Sequence, residues 1–375
     1  MSEKISRRSL IKSGATLGGI LLGNSLLSFA QDNRTSLLEE CKLRERKLKK
    51  FSDKVRSGGP PPDGIPPIDK PKYVSTEEAD RTMGGLLKDD SIVFGIDYKG
   101  EAKAYPRSVM VWHEIVNEEI DGQRVSITYC PLTGSAIGFK GKLGKKTTTF
   151  GTSGKLLNSN LVMYDRLAGT DSYWPQILGR SIQGPRLGHR LSSFPVVWTT
   201  WNRWKSKHPN TSVLTSDTGY IRAYGNDPYG SYQRSGSYYQ VGQPMFEVMA
   251  ENDRFPPKKV FTGIRVKDCS LAVPKKEFRS LKTINTELGG EPIVIVYEEA
   301  LDTIRAFSRK IGGKVRRFER KEGQLISKPD GTAWQEDGRA TEGPLADREL
   351  GPITFFDVMW FAWYAFYPGT EVLGI

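Results

Sequence analysis

Apolar residues in this chain come in short runs broken by Gly, Pro and charge, a pattern that favours strands over long helices. Runs at 91–98 and 102–105 flank Lys99-Gly100 and predict a hairpin. Pro106 suits a first helical turn, so a helix is expected over 107–117. Val125, Ile127 and Tyr129 alternate and predict a strand over 124–129, ended by the turn Cys130-Pro131-Leu132-Thr133-Gly134. Further strands are expected at 136–140, 147–151 and 161–164, then a helix over 199–207. Leu37, Cys41, Leu48, Phe51 and Val55 recur at helical spacing among lysines and arginines, which predicts a basic amphipathic helix over 36–56. The proline-rich stretch Ser57-Gly58-Gly59-Pro60-Pro61-Pro62 follows as a linker. The apolar run 358–367 is too short to cross a membrane and reads as a buried helix.

The pattern is written twice. Shifted by 168, residues 95–150 align with 263–318 without a gap, and 15 of the 56 positions are identical, enough to read as a duplicated domain. Gly95 meets Gly263, Pro106 meets Pro274, Asn117 meets Asn285 and Tyr129 meets Tyr297. At an offset of 159, Trp201 meets Trp360 and Trp204 meets Trp363. The shared residues are scaffold types. The differences carry chemistry: Leu281 stands opposite His113, and Glu298 opposite Cys130. A working first copy and a structural second copy are therefore expected, with Leu281 implying that position 113 points inward.

Composition adds a compartment. Ser6-Arg7-Arg8-Ser9-Leu10-Ile11-Lys12, an apolar stretch and Ser28-Phe29-Ala30 read as a twin-arginine export signal over 1–30. The periplasm or extracellular face follows, with no transmembrane helix expected in the mature chain. The formal net charge is +12. In that compartment the excess suits anionic envelope material, through residues 36–56, better than nucleic acid, for which no motif is present. More often such a helix is a spacer or packs on its own domain. Three mature cysteines, Cys41, Cys130 and Cys269, make no disulfide framework, so stability is expected from burial.

His113 and Cys130 end neighbouring elements around Asp121-Gly122 and could approach each other. An imidazole and a thiolate suit copper or iron, and the same pair could be a base and a nucleophile. Turn amides after Cys130 would favour its thiolate. Glu114, Asn158, Asn160, Tyr164 and Asp165 are accessory candidates, the two asparagines reading equally as turn caps. His189 and His208 read as surface residues. Residues 216–258 hold six tyrosines among glycines, too aromatic for a free linker, and are expected to wrap over the first copy.

Tyr129-Cys130-Pro131-Leu132-Thr133-Gly134, Trp112-His113-Glu114-Ile115-Val116-Asn117 and the stretch from Asn158 to Asp165 resemble the signature of a bacterial exported family catalogued as domain of unknown function 3179. Gly64-Ile65-Pro66, Ala104-Tyr105-Pro106 and Tyr224-Gly225-Asn226-Asp227-Pro228-Tyr229 fit it too, so the resemblance spans roughly residues 60–375. It implies membership and no reaction. Thr133 stands where many relatives carry a second cysteine, which argues against a dithiol redox pair, and Asn160 stands where relatives carry aspartate.

The expected architecture is a β-rich α+β protein of two tandem, divergent copies packed together. Residues 1–30 are the signal, 31–68 the basic helix and linker, 69–215 the first copy, 216–258 the connector and 259–375 the second copy. Three functions stay open: a Cys130/His113 copper or iron site, a cysteine enzyme using the same pair, and a non-catalytic cell-envelope binding protein.

Overall fold

Gly95 lacks a side chain because an indole needs its space. A Cβ there would lie 2.2 Å from the Trp204 ring, and at Gly263 the same distance from Trp363. The computed structural model describes residues 45–167, 169, 171–232 and 234–374, and they form a β-rich α+β fold with short helices.

Ile92–Tyr98 and Glu101–Pro106 make the expected hairpin, turned at Lys99. Val197–Thr200 pairs antiparallel on one edge and Ser212–Leu214 parallel on the other. The helix Trp201–Lys207 carries Trp204 over Gly95, with the indole N–H donating to Thr211 Oγ1 at 3.0 Å. Later in the chain Val260–Val266 and Cys269–Pro274 form a hairpin. Its edges take Thr354–Met359 antiparallel and Glu371–Val372 parallel. The helix Trp360–Phe366 brings Trp363 to Gly263, its N–H on Thr370 Oγ1 at 2.9 Å.

After each hairpin comes a three-strand meander. Ile115–Ile120, Gln123–Cys130 and Ser135–Lys140 form the first, and Thr283–Leu288, Glu291–Glu298 and Thr303–Ser308 the second. An asparagine fastens each meander to the next sheet by imitating a backbone pair. Asn117 Nδ2 donates to Phe150 O at 2.8 Å while Asn117 Oδ1 accepts from Phe150 N at 3.1 Å. Asn285 does the same to Phe318 at 2.7 and 2.8 Å. The largest core cluster joins Cys130, Leu132 and Leu161 to Phe356, Met359 and Trp360, and Met359 N donates to Thr133 O at 3.0 Å. The turn after Cys130 is thereby held by the C-terminal part of the chain.

Several expectations need correction. The helix expected over 107–117 stops at Met110, and Ile115–Ile120 is a strand. β-branched Ile115 and Val116 pair with the next strand, and tertiary pairing overrides the helical start. The strand expected at 147–151 starts at Phe150, and Lys146–Thr147 closes a small hairpin with Lys142–Leu143. The apolar run at 358–367 is a strand end plus a buried helix. Leu281 is 43 % exposed, so it does not mark an inward position. Cys269 is disulfide-bonded, a covalent tie that the odd cysteine count hid. Of the expected helix over 36–56, Glu45–Asp53 is helical, and its apolar Leu48 and Phe51 are buried in the core. That face is taken up by the protein itself. The export signal and Cys41 lie outside the described residues. No helix among the described residues is long and apolar enough to cross a membrane.

Candidate functional site

The turn after Met110 must reverse the chain into a strand, and residue 114 does so at φ +59°. Residue 282, 168 positions on, takes φ +57° in the equivalent turn. The left-handed backbone thus belongs to the turn, not to a chemistry. What differs is the side chain. Lys282 is half-buried and pairs with Glu299 at 3.0 Å. Glu114 is 7 % exposed, and no hydrogen bond or ion pair of its carboxyl exists among the described residues. Burial alone pushes its pKa up to about 8, so the group is mostly protonated at neutral pH.

Glu114 lines a cavity of about 130 Å³ whose other walls are largely apolar, including Leu132 and Leu161. Another part of the wall comes from the 216–258 segment, through Tyr229, Met245 and Phe246, and Pro60, Ile65 and Lys155 also line it. That segment is fastened across the first half of the chain. Tyr238 OH donates to Leu132 O at 2.7 Å, Met249 N to Asn158 Oδ1 at 2.8 Å, and Ser159 Oγ to Phe246 O at 2.9 Å. Arg107 pairs with Asp227, which also accepts from Tyr239 OH at 2.9 Å.

Cys130 ends its strand behind Leu132 and Leu161, 1 % exposed. Its Sγ accepts the Leu161 N–H at 3.3 Å and donates toward Ser159 O at 3.8 Å. The expected thiolate-favouring turn is outweighed. Burial, and then the Glu114 charge, push the thiol up to about 11 against the hydrogen bonds from Thr133 and Leu161.

His113 is wholly buried and turns elsewhere. A carbonyl can only accept, so Nδ1 carries the proton and donates to Pro66 O at 2.7 Å. Nε2 then accepts from Tyr224 OH at 2.6 Å, and Tyr224 accepts from Thr218 Oγ1 at 2.6 Å. Burial holds the imidazole pKa below its usual value, in keeping with this neutral tautomer. With both ring nitrogens engaged, His113 is a clip between the Pro66 strap and the connector. Among the described residues no hydrogen bond joins His113 to Cys130. No group of three His, Cys, Asp or Glu side chains among the described residues is placed to hold a metal ion, and the residues do not fit a copper or iron centre.

The accessory candidates separate likewise. Asn158 and Ser159, at φ +53° and +60°, form the tight hairpin turn that docks the connector. Asn160 sits in a buried network with Thr133 and Gln176, and Gln176 in turn bonds Thr128 and Ser135. Tyr164 donates to Asp63 at 2.6 Å, and Asp165 accepts from Trp174 Nε1 at 2.9 Å. These are structural partners away from the cavity. His189 is exposed, whereas His208 is half-buried against Trp204, ring centroids 4.2 Å apart. Gln176 and Phe246 were not singled out by the sequence, and Tyr229 only as part of the connector. Only the tyrosine density of the connector pointed toward its role.

No curated protein and no solved structure is significantly similar to this chain. Residues 62–370 do match a family model described as protein of unknown function (DUF3179), the stretch that holds the Glu114 turn, Cys130 and the connector, and the chain belongs to that family.

Proposed function

We propose that this chain is an exported enzyme for a small, uncharged substrate, with Glu114 as its acid–base group. The observation that carries the reading is a carboxyl that is buried, unpartnered and open to a cavity. Burying such a group costs stability, and a lysine serves the same turn at residue 282 without that cost. A pKa near 8 suits a group that both gives and takes a proton near neutral pH. In ester hydrolysis the Glu114 carboxylate would take a proton from the attacking water and return it to the leaving alcohol. Glutamate-selective 13C NMR and the pH–rate profile of p-nitrophenyl acetate hydrolysis test this. The expected result is a carboxyl titrating near pH 8 and a rate rising through that pH, both absent in Glu114→Gln. A Glu114 signal titrating near 4.5, or equal rates in the variant, would sink the proposal.

The Glu114 carboxyl beside the Cys130 thiol favours a second reading, a cysteine nucleophile with Glu114 in the place expected for His113. It predicts that Cys130→Ser abolishes turnover without moving the Glu114 titration. A Cys130→Ser enzyme at full rate removes it.

We further infer that residues 69–215 and 259–375 arose as two copies joined by 216–258. The paired turns at residues 114 and 282, the two asparagine clips and the two Trp–Gly contacts support this. If 95–150 and 263–318 fail to superpose in an experimental structure, the duplication is wrong. Export by the twin-arginine route is supported by the leader and by the disulfide-bonded Cys269, a bond suited to an oxidising compartment. Lysine replacement of Arg7 and Arg8 should abolish export, and unchanged periplasmic yield would exclude the route.

A further inference from the structure

A second cavity, of about 290 Å³, lies where the two halves of the chain meet. Trp198 and Thr199 come from the strand Val197–Thr200, Tyr232 from the connector, and Val260 and Met359 from the later hairpin sheet. It shares no lining residue with the Glu114 cavity. Its volume is at the lower end of the range of about 300–1,000 Å³ for small-molecule sites, which favour such seams.

One hydroxyl in this lining has no partner. Thr199 is 5 % exposed and its buried Oγ1 makes no hydrogen bond, while the buried Tyr232 OH faces the Tyr129 hydroxyl. Buried hydroxyls are normally satisfied, so an orphan in the wall of a cavity points to a partner that comes from outside the chain. Gly134, at φ +58°, keeps the space before Tyr232 open, since a Cβ there would sit 3.2 Å from the hydroxyl. The half-exposed Trp198 ring is braced by Phe94, Tyr129 and Tyr232, with centroids 5.1, 5.8 and 5.3 Å away.

The charges in the lining are already engaged. Lys275 pairs with Asp357 and Arg279 with Asp302, each at 2.5 Å, and Arg203 donates to Glu299 O and Ala300 O at 2.8 and 3.1 Å. A charged ligand would have to break these contacts. An uncharged ring would not.

We propose that this seam cavity is a binding site for a small uncharged aromatic molecule bearing one hydroxyl or carbonyl, its ring packed on Trp198 and its oxygen bonded by Thr199 and Tyr232. Neither Glu114 nor Cys130 takes part, so the site stands or falls separately from the proposed enzyme.

Titration calorimetry of the full-length mature protein with phenol, toluene, benzoate and glucose tests it. Phenol should bind one to one, and at least tenfold more tightly than the other three. Thr199→Val keeps the shape and removes the hydroxyl, and should weaken phenol about tenfold. Trp198→Ala should weaken it further, while Thr199→Val keeps the test interpretable if loss of the indole disturbs folding. No phenol binding would overturn the proposal. So would equal binding by wild type and Thr199→Val, or a preference for toluene, benzoate or glucose.

Discussion

Cys130 and Glu298 close equivalent strands, one in each half of the chain, and both are buried, yet their surroundings solve burial differently. Glu298 is answered by two cations: Lys207, from the first half, and Arg305 Nε at 2.5 Å. Its pKa falls below the usual carboxylate range because these charges outweigh desolvation. Beside Cys130 the buried carboxyl is Glu114, and no cation reaches it. One acid is structural glue across the seam. The other is held uncharged at the edge of a cavity. Buried charge in this fold is therefore informative where it is unpaired, and the paired case supplies the control.

The largest effect should come from Glu114, and its sign is opposite to that of Glu298. A carboxyl with a raised folded-state pKa contributes stability that is full below its unfolded pKa, near 4.5, and lost as pH rises through about 8. Relative to wild type, Glu114→Gln should therefore gain about 4–5 kcal/mol between pH 4 and pH 9, on the order of 1.4 kcal/mol per pH unit inside that window. Urea unfolding at both ends measures this. A difference that does not change with pH would mean that Glu114 is solvated or paired, and the contrast with Glu298 would collapse.

Glu298→Gln removes one side of a buried ion pair, leaving Arg305 without its paired carboxylate and Lys207 with Asp337 alone, at 3.2 Å. The expected loss is about 3–5 kcal/mol at pH 7. Because its pKa is lowered, the contribution of Glu298 is present above pH 4.5 and disappears as pH falls through the folded-state value. Denaturant midpoints of the variant and wild type should thus converge in acid. Parallel curves down to the lowest accessible pH would show that the pair is not what stabilises this seam.

Scaffold positions should respond alike in both halves. An alanine at Gly95 or Gly263 places its Cβ 2.2 Å from an indole whose N–H is already anchored. Each substitution should cost about 1–3 kcal/mol through overpacking. A cost at one site and none at the other, measured by thermal unfolding, would show that one of the two sheets can yield where its counterpart cannot.

The sequence made the scaffold legible because glycine, proline, asparagine and tryptophan act locally: a turn, a clip or a close approach needs that residue type wherever it recurs. The site was less legible because it depends on which way neighbours face. His113 and Glu114 are adjacent, and the rarer residue drew attention, but the left-handed turn aims the acid toward Cys130 and the ring toward Pro66 and Tyr224. The helix expected through this stretch would have put both on one continuous surface. The disulfide at Cys269 was hidden for a related reason, since a count of cysteines does not say which are near.

The smallest effect tests the turn itself. Exchanging the residues at positions 113 and 281 asks whether histidine is needed by the fold or only by the connector. His113→Leu leaves Pro66 O and Tyr224 OH without their ring partner and should cost about 1–3 kcal/mol. It should also speed amide exchange in residues 218–229, because the imidazole is what joins that stretch to the strap at Pro66. Leu281→His lies on an exposed position and should stay within about 0.5 kcal/mol of wild type. Faster exchange confined to the connector would assign His113 to holding the roof of the Glu114 cavity. Uniformly faster exchange across the meander would make it an ordinary core residue, and unchanged exchange would remove it from both roles.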